Sequence, residues 1–172
     1  MKIRTGGPAD TADILSLLDG AVAWLAAHGR ADQWGDQPWS TTPAMIDRIE
    51  GYTAEQFLIR LATDDEGRAI GCCVLSEQAN AYATPVDERE LYIRNLVTDR
   101  ALKGSGIGAA LIADAVDEAR RRGIGLVRVD CYASEDRRLV GQYRALGFTE
   151  TESFESEYKG KPWRGQILEI RL

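Results

Sequence analysis

Lys103-Gly104-Ser105-Gly106-Ile107-Gly108-Ala109 sets three glycines at the mouth of a helical pattern, directly after an apolar strand. The start of a helix presents backbone N–H groups that lack intrahelical acceptors, together with the positive end of the macrodipole. Glycines there hold no side chain in the path of an anion approaching those donors. The segment is a candidate cradle for a pyrophosphate; read alone, it serves equally as a tight turn or a point of close packing. Two other residues have types suited to proton transfer. Tyr143 is a phenol in a late helical segment. Asp130 is a carboxylate near the end of an otherwise largely apolar strand pattern, residues 126–132.

Other chemistries find little support. The spacing Gly104-x-Gly106-x-Gly108 is not that of a dinucleotide-binding turn, which also needs an acidic residue after the second strand of a βαβ unit. A Walker loop ends in Gly-Lys-Ser/Thr, and Ile107-Gly108-Ala109 does not supply it. One histidine, His28, and three cysteines, Cys72, Cys73 and Cys131, show neither metal-ligand spacing nor a disulfide framework. Buried, reduced thiols in a cytoplasmic protein are expected instead. Cys131 has no histidine nearby in sequence to activate it, and reads as a strand residue.

The formal net charge of −6 argues against nucleic acid as a partner, since phosphate backbones want a basic face; it is compatible with a cationic amine as substrate. No apolar run has the length of a membrane span, and Met1-Lys2-Ile3-Arg4-Thr5 reads as a strand, not a leader. With 172 residues, 44% hydrophobic and 28% charged, the chain is expected to form one globular domain, residues 1–172.

The elements that must carry these residues follow from periodicity and turn signals. Residues 2–5 read as a strand. A helix runs from Asp10 and Thr11 to about Ala27 on the stripe Ile14, Leu17, Leu18, Ala21, Val22, Trp24 and Leu25, and Gly29 ends it. Residues 31–42, with Trp34, Pro38 and Trp39, read as a loop, and 44–50 as a short helix after Thr42-Pro43. Strands at 57–62 and 69–76 flank a hairpin loop at 64–68, and 77–89 is a polar connection. A strand at 90–98 leads into the glycine loop. The helix from about 106 to 122 closes on Arg120-Arg121-Arg122 and Gly123. A strand at 126–132 and a helix at 134–146 follow, the latter capped by Ser134 with Gly147 beyond its end. Phe148 onward and residues 165–172 supply the last strands. Hairpins first and a βαβ unit later make the chain mixed α/β.

Taken in order, the strand at 91–98, the glycine loop, the long helix, the strand at 127–132, a helix and Tyr143-Arg144-Ala145-Leu146-Gly147-Phe148 resemble the GNAT superfamily of acetyl-CoA-dependent N-acetyltransferases. The family signature Arg/Gln-x-x-Gly-x-Gly/Ala is matched by Lys103-Gly104-Ser105-Gly106-Ile107-Gly108, with Lys103 in place of Arg or Gln. The second landmark, Tyr-x-x-x-Gly-Phe, is matched at Tyr143, Gly147 and Phe148. Trp163-Arg164-Gly165-Gln166 resembles the start of the family's closing strand, and Trp24 with Gln33-Trp34 looks like a small bacterial subgroup of unassigned substrate.

That resemblance implies an α/β (α+β) GNAT fold: a central mixed, largely antiparallel sheet, splayed at the cofactor site and flanked by about four helices. It implies acetyl-CoA as cosubstrate and no metal. The pyrophosphate would lie on Lys103, Gly104, Ser105, Gly106, Ile107, Gly108 and Ala109. The pantetheine arm would bond the strand at Leu96, Val97 and Thr98, with a backbone N–H there facing the oxyanion. Asp136 falls where the family has a cofactor-bonding Asn; a first-turn carboxylate suited to the helix dipole is the other reading. Tyr143 would be the acid for the leaving thiolate. Asp130 would be the base or a substrate contact, with Glu90 as a further candidate base. Trp34, Tyr92, Arg94 and Trp163 would face the acceptor. The implied activity is transfer of an acetyl group to a primary amine: a small molecule, an amino acid or a peptide N-terminus. A catalytically silent acyl-CoA sensor of the same fold, or a transferase for another acyl group, are the alternatives. A homodimer is a further expectation by analogy.

Overall fold

The computed structural model describes residues 1–158 and 160–172. Its elements are β1 (Lys2–Thr5), α1 (Thr11–Ala27), α2 (Ala31–Trp34), α3 (Pro43–Gly51), β2 (Phe57–Thr63), β3 (Ala69–Ser76), β4 (Glu90–Thr98), α4 (Ile107–Arg121), β5 (Leu126–Tyr132), α5 (Arg138–Ala145), β6 (Thr149–Tyr158) and β7 (Lys161–Arg171). The seven strands form one mixed sheet in the order β1-β2-β3-β4-β5-β7-β6. No helix among the described residues is long and apolar enough to cross a membrane.

Three expectations change. Residues 31–42 are not all loop: α2 and a 3₁₀ turn at Trp39–Thr41 occupy them, the second opening after Pro38, whose carbonyl accepts from the Thr41 and Thr42 hydroxyls. The helix read at 134–146 begins only at Arg138, and Ser134 does not cap it. Instead Asp136 accepts from the Ser134 hydroxyl at 2.6 Å and from the Arg138 N–H at 3.2 Å, while Arg137 adopts φ 47°. The last strand starts at Lys161 rather than Gly165, because cross-strand pairing with β6 extends to Tyr158↔Lys161.

The chain divides into two compact units, residues 1–75 with 95–114 and residues 76–94 with 115–172, so that β4 and α4 contribute to both. In the first, β1 pairs antiparallel with β2 from Lys2↔Thr63 to Thr5↔Arg60. The α1 stripe Ile14, Leu15, Leu17, Leu18, Ala21 and Val22 packs with Ile59 and Leu61 of β2, with Cys72 and Val74 of β3, and with Val97 of β4. β3 is buried along its whole length, as befits an interior strand. Two contacts seat the first half of α4. Gly71 of β3 leaves room for it, since a Cβ there would stand 2.7 Å from the Ile107 Cγ2 and 3.0 Å from the Leu111 Cδ1. Arg60 of β2 grips Asp114 with two hydrogen bonds, 2.7 and 2.8 Å.

In the second unit β4 and β5 run parallel, from Glu90↔Leu126 to Ile93↔Val129. β5 pairs antiparallel with β7, and β7 with β6. Strand side chains alternate between faces, so the registers Tyr92↔Arg128, Asp130↔Ile167, Tyr132↔Gly165, Phe154↔Gly165 and Ser156↔Trp163 put Tyr92, Arg128, Asp130, Tyr132, Phe154 and Trp163 on one face.

Candidate functional site

The glycine loop is a backbone device. After β4 the chain makes a 3₁₀ turn at Arg100–Leu102, capped by Asp99, whose carboxylate accepts from the Ala101 N–H at 2.9 Å. Gly104 and Gly106 sit at φ +88° and +82°, where an L side chain is strained. A Cβ at either would meet nothing within 4 Å, so it is the backbone angle rather than crowding that selects glycine. The Gly106 carbonyl accepts the first α4 bond, from the Ala110 N–H at 2.9 Å. Two amides of the expected cradle are already engaged within the turn: Lys103 N–H on the Arg100 carbonyl and Ser105 N–H on the Leu102 carbonyl. Among the described residues no acceptor is recorded for the amides of Gly104, Gly106, Ile107, Gly108 and Ala109. The cradle is therefore narrower than the sequence reading, and it fits a pyrophosphate through neutral donors at a helix start.

β4 supplies the second part of this region. Its register with β5 ends at Ile93, and Leu96, Val97 and Thr98 lie beyond it. Val97 is buried in the core of the first unit, so only its backbone is on offer to a ligand; Leu96 and Thr98 are half-buried.

The second unit holds a side-chain device. Asp130 accepts from the Tyr92 hydroxyl at 2.8 Å and the Asn80 amide at 2.8 Å, both on Oδ1, and from the Tyr82 hydroxyl at 3.1 Å on Oδ2. An ionised carboxylate has about four acceptor positions, so one remains. Tyr92 is fully buried. Burial and the neighbouring Asp130 carboxylate push its phenol far above the usual tyrosine range, so it stays a donor. This corrects the reading of Tyr92 as an acceptor contact: it orients Asp130 from below. Around the carboxylate runs a chain of rings, Tyr82 stacked on Phe154 at 4.2 Å, Phe154 to Trp163 at 5.9 Å and Trp163 to Tyr132 at 5.4 Å. Gly165 makes the space for it, because the Phe154 ring lies where a Cβ of Gly165 would stand.

The polar connection at residues 77–89 is what brings Asn80 and Tyr82 to that face. Arg128 fastens it, donating two hydrogen bonds of 3.0 Å to the Thr84 carbonyl and one of 2.7 Å to Glu90. Glu152 accepts from the Thr84 N–H at 2.9 Å. Glu90 is thus one half of a buried ion pair and not a free base. Arg94, expected to face the acceptor, donates to the Gln78 carbonyl at 3.1 Å and so also anchors this connection. An open groove of about 730 Å³ follows the connection, and three of the four carboxylates that line it are engaged: Glu77 on Arg89 and Arg122, Glu88 on Arg171, Glu90 on Arg128.

Tyr143 lies on α5, 7% exposed, with its ring edge-on to Phe148 at 5.5 Å. The Tyr-x-x-x-Gly-Phe spacing has a local cause. The Phe148 N–H bonds the Tyr143 carbonyl at 3.2 Å and the Gly147 N–H the Arg144 carbonyl at 3.0 Å, with Gly147 at φ +95°. That is a Schellman termination with its apolar contact between the first and last residues of the motif. The aromatic pair adds about 0.5–1.5 kcal/mol beyond its buried area.

Asp136 serves the turn before α5, as described above. Trp34 belongs to the first unit, where its ring packs on Trp39 at 5.6 Å and against the core. Cys131 is buried, and burial with the adjacent Asp130 pushes its thiol up to about 12, leaving no thiolate for nucleophilic attack at neutral pH. Sequence reading missed Asn80, Tyr82, Phe154 and Gly71. Only an unexplained glycine within a strand pattern, at 71 and at 165, signalled the close approaches.

The family model described as Acetyltransferase (GNAT) family matches residues 24–148. No curated protein sequence matches the chain. Among solved structures, a ribosomal-protein-alanine N-acetyltransferase from Brucella melitensis superposes with a TM-score of 0.72 at 18% identity, over 100% of both chains. The ribosomal-protein-S18-alanine N-acetyltransferase from Escherichia coli gives 0.71 at 17% identity, over 99% of this chain and 93% of that one. A phosphinothricin acetyltransferase from Sinorhizobium meliloti, solved in complex with acetyl-CoA, gives 0.71 at 18% identity, over 99% of this chain and 88% of that one. At such identities the likeness is one of fold.

Proposed function

The chain belongs to the GNAT acetyltransferase family, and on that footing we propose that it transfers an acetyl group from acetyl-CoA to the nitrogen of a primary amine. The observation that carries this reading is the opening of α4: five amides with no acceptor among the described residues, behind two glycines held at positive φ. Acetyl-CoA supplies an acyl carbon already activated as a thioester.

The chain's own residues have four tasks. The amides of Gly104, Gly106, Ile107, Gly108 and Ala109 hold the pyrophosphate. The backbone of Leu96, Val97 and Thr98 lines the pantetheine arm, and an N–H of this segment, assigned to Thr98, faces the oxygen that gains charge as the carbonyl is attacked. Tyr143 gives its proton to the departing thiolate. Asp130 receives an N–H of the acceptor amine at its one remaining acceptor position, with Tyr82, Phe154 and Trp163 covering the acceptor's carbon skeleton. The ammonium proton passes to water before the neutral nitrogen attacks; the second nitrogen proton is lost to water as the C–S bond breaks, and restores through solvent the proton that Tyr143 gave to sulfur. An amine that is cationic in solution and carries an apolar or flat body, whether a small molecule or a peptide N-terminus, fits that combination.

An amine panel assayed with acetyl-CoA, reading release of free thiol, tests the proposal. Turnover with cationic amines in preference to neutral hydroxyl analogues is expected. Tight CoA binding with no turnover on any amine would replace it with the sensor reading.

A further inference from the structure

Trp24, near the end of α1, carries two cations on one indole. The Arg100 guanidinium carbon stands 4.4 Å from the ring centroid and the Lys103 ammonium 5.5 Å. The ring is itself held in place. His28 stacks on it at 4.0 Å and 22°, and donates from Nδ1 to the Trp24 carbonyl at 2.7 Å. The way α1 ends arranges this: the Arg30 N–H bonds the Leu25 carbonyl at 2.8 Å, with Gly29 at φ +68°.

Arg100 differs from most arginines of the chain. Arg4, Arg60, Arg68, Arg89, Arg122 and Arg128 each pair with a carboxylate. Among the described residues Arg100 has none, and its Nε is buried without a hydrogen-bond partner. The neighbouring Asp99 makes no pair with Arg100 among the described residues; its carboxylate accepts from the Ala101 N–H and from Arg68 Nη1 at 3.3 Å. Burial, and secondarily the charge of Arg30, hold Arg100 below the ordinary arginine range. A half-buried cation beside other cations, with an orphaned donor, lacks an anion. The cluster also has an address. Arg100 opens the 3₁₀ turn that leads into Lys103 and the glycine loop, beside the free α4 amides.

We infer that Arg100 and Lys103, splinted on Trp24, form a second anion subsite that takes the terminal phosphate monoester of the bound nucleotide, the 3′-phosphate of CoA. The inference rests on the acetyl-CoA reading above. The two kinds of donor divide the two kinds of phosphate. Neutral amides at a helix start suit the pyrophosphate, whose phosphorus centres each carry one charge. The dianionic monoester calls for full positive charges, and the guanidinium fork matches two of its oxygens at once. Lys103 then adds a point charge to this subsite.

Calorimetry with CoA and 3′-dephospho-CoA tests it on the wild-type protein, Arg100→Gln and Arg100→Lys. Wild type is expected to favour CoA by about 30-fold, the worth of a strong charge-assisted pair. Arg100→Gln should reduce that preference to about threefold or less while binding 3′-dephospho-CoA as wild type does; Arg100→Lys should restore part of it. Arg100→Gln should also keep its melting temperature within about 4 °C of wild type, because it loses the contact with the Trp24 ring but no ion pair among the described residues. Equal weakening of both nucleotides by Arg100→Gln, or an unchanged preference, overturns the subsite. Equal affinity of wild type for both overturns the subsite and leaves the acetyl-CoA reading standing. Wild-type binding of neither overturns both.

Discussion

The glycine loop and the Asp130 face are built on opposite principles. The loop offers backbone: its donors are main-chain amides, and Gly104 and Gly106 contribute the angles that aim them. The Asp130 face offers side chains drawn from β4, β5, β6, β7 and the connection at residues 77–89. A backbone cradle binds a group that every peptide unit can hold, and it tolerates almost any side chain that accepts the geometry. A side-chain face is specific, because each donor or ring can be exchanged alone. The contrast suits the proposed division, with a common cofactor on the first region and a particular acceptor on the second.

Substitutions that strike one region and spare the other probe that division. Gly106→Glu puts a side chain at φ +82°, costing about 1–2 kcal/mol in backbone strain, and adds a negative charge at the anion site. CoA affinity is expected to fall by about 100-fold or more in calorimetry; unchanged affinity would sink the cradle. Tyr143→Phe is expected to lower kcat by about 100-fold while leaving CoA affinity within about twofold. Full activity at neutral pH would remove the acid role and leave Tyr143 as the aromatic partner of Phe148.

Smaller effects separate the roles of Asp130. As an anchor, Asp130→Asn raises KM for cationic amines about tenfold, changes kcat little and leaves CoA affinity as it is. A lost limb in the pH–rate profile with KM unchanged would make Asp130 the base instead. Tyr82→Phe deletes one of three donors to that carboxylate, and about a threefold rise in the same KM is expected. A fall in CoA affinity with either variant would mean that the two regions do not divide the work as proposed.

The spacing of the Tyr143 motif illustrates how much of a landmark is local physics. Gly147 and Phe148 close α5, and the same device ends α1 at Gly29 and α4 at Gly123, where the Ile124 N–H reaches the Ala119 carbonyl at 2.9 Å. Such signals are short-range, so they are readable from the chain. The start of α5 is not: the sequence offered Ser134 as a cap, but Ser134 turns to Asp136 and the helix waits for Arg138.

What the sequence by itself determined is whatever a few neighbouring residues decide among themselves. The strand before the loop, the positive-φ glycines, the helix terminations and the α1 stripe are all of that kind, and each follows from local sterics or periodicity. Tertiary structure alone decided the rest. Asp130 and Tyr92 are 38 residues apart, and Asp130 and Asn80 are 50 apart. They meet because strand registers choose a face, and because Arg128 fastens residue 84 of a polar connection over it. Arg100 likewise looks like any surface arginine in sequence. Only the packing of α1, which sets Trp24 beneath it and leaves its Nε buried without a partner among the described residues, sets it apart from them. Periodicity tells a residue which way to face; it takes the folded sheet to decide what it faces.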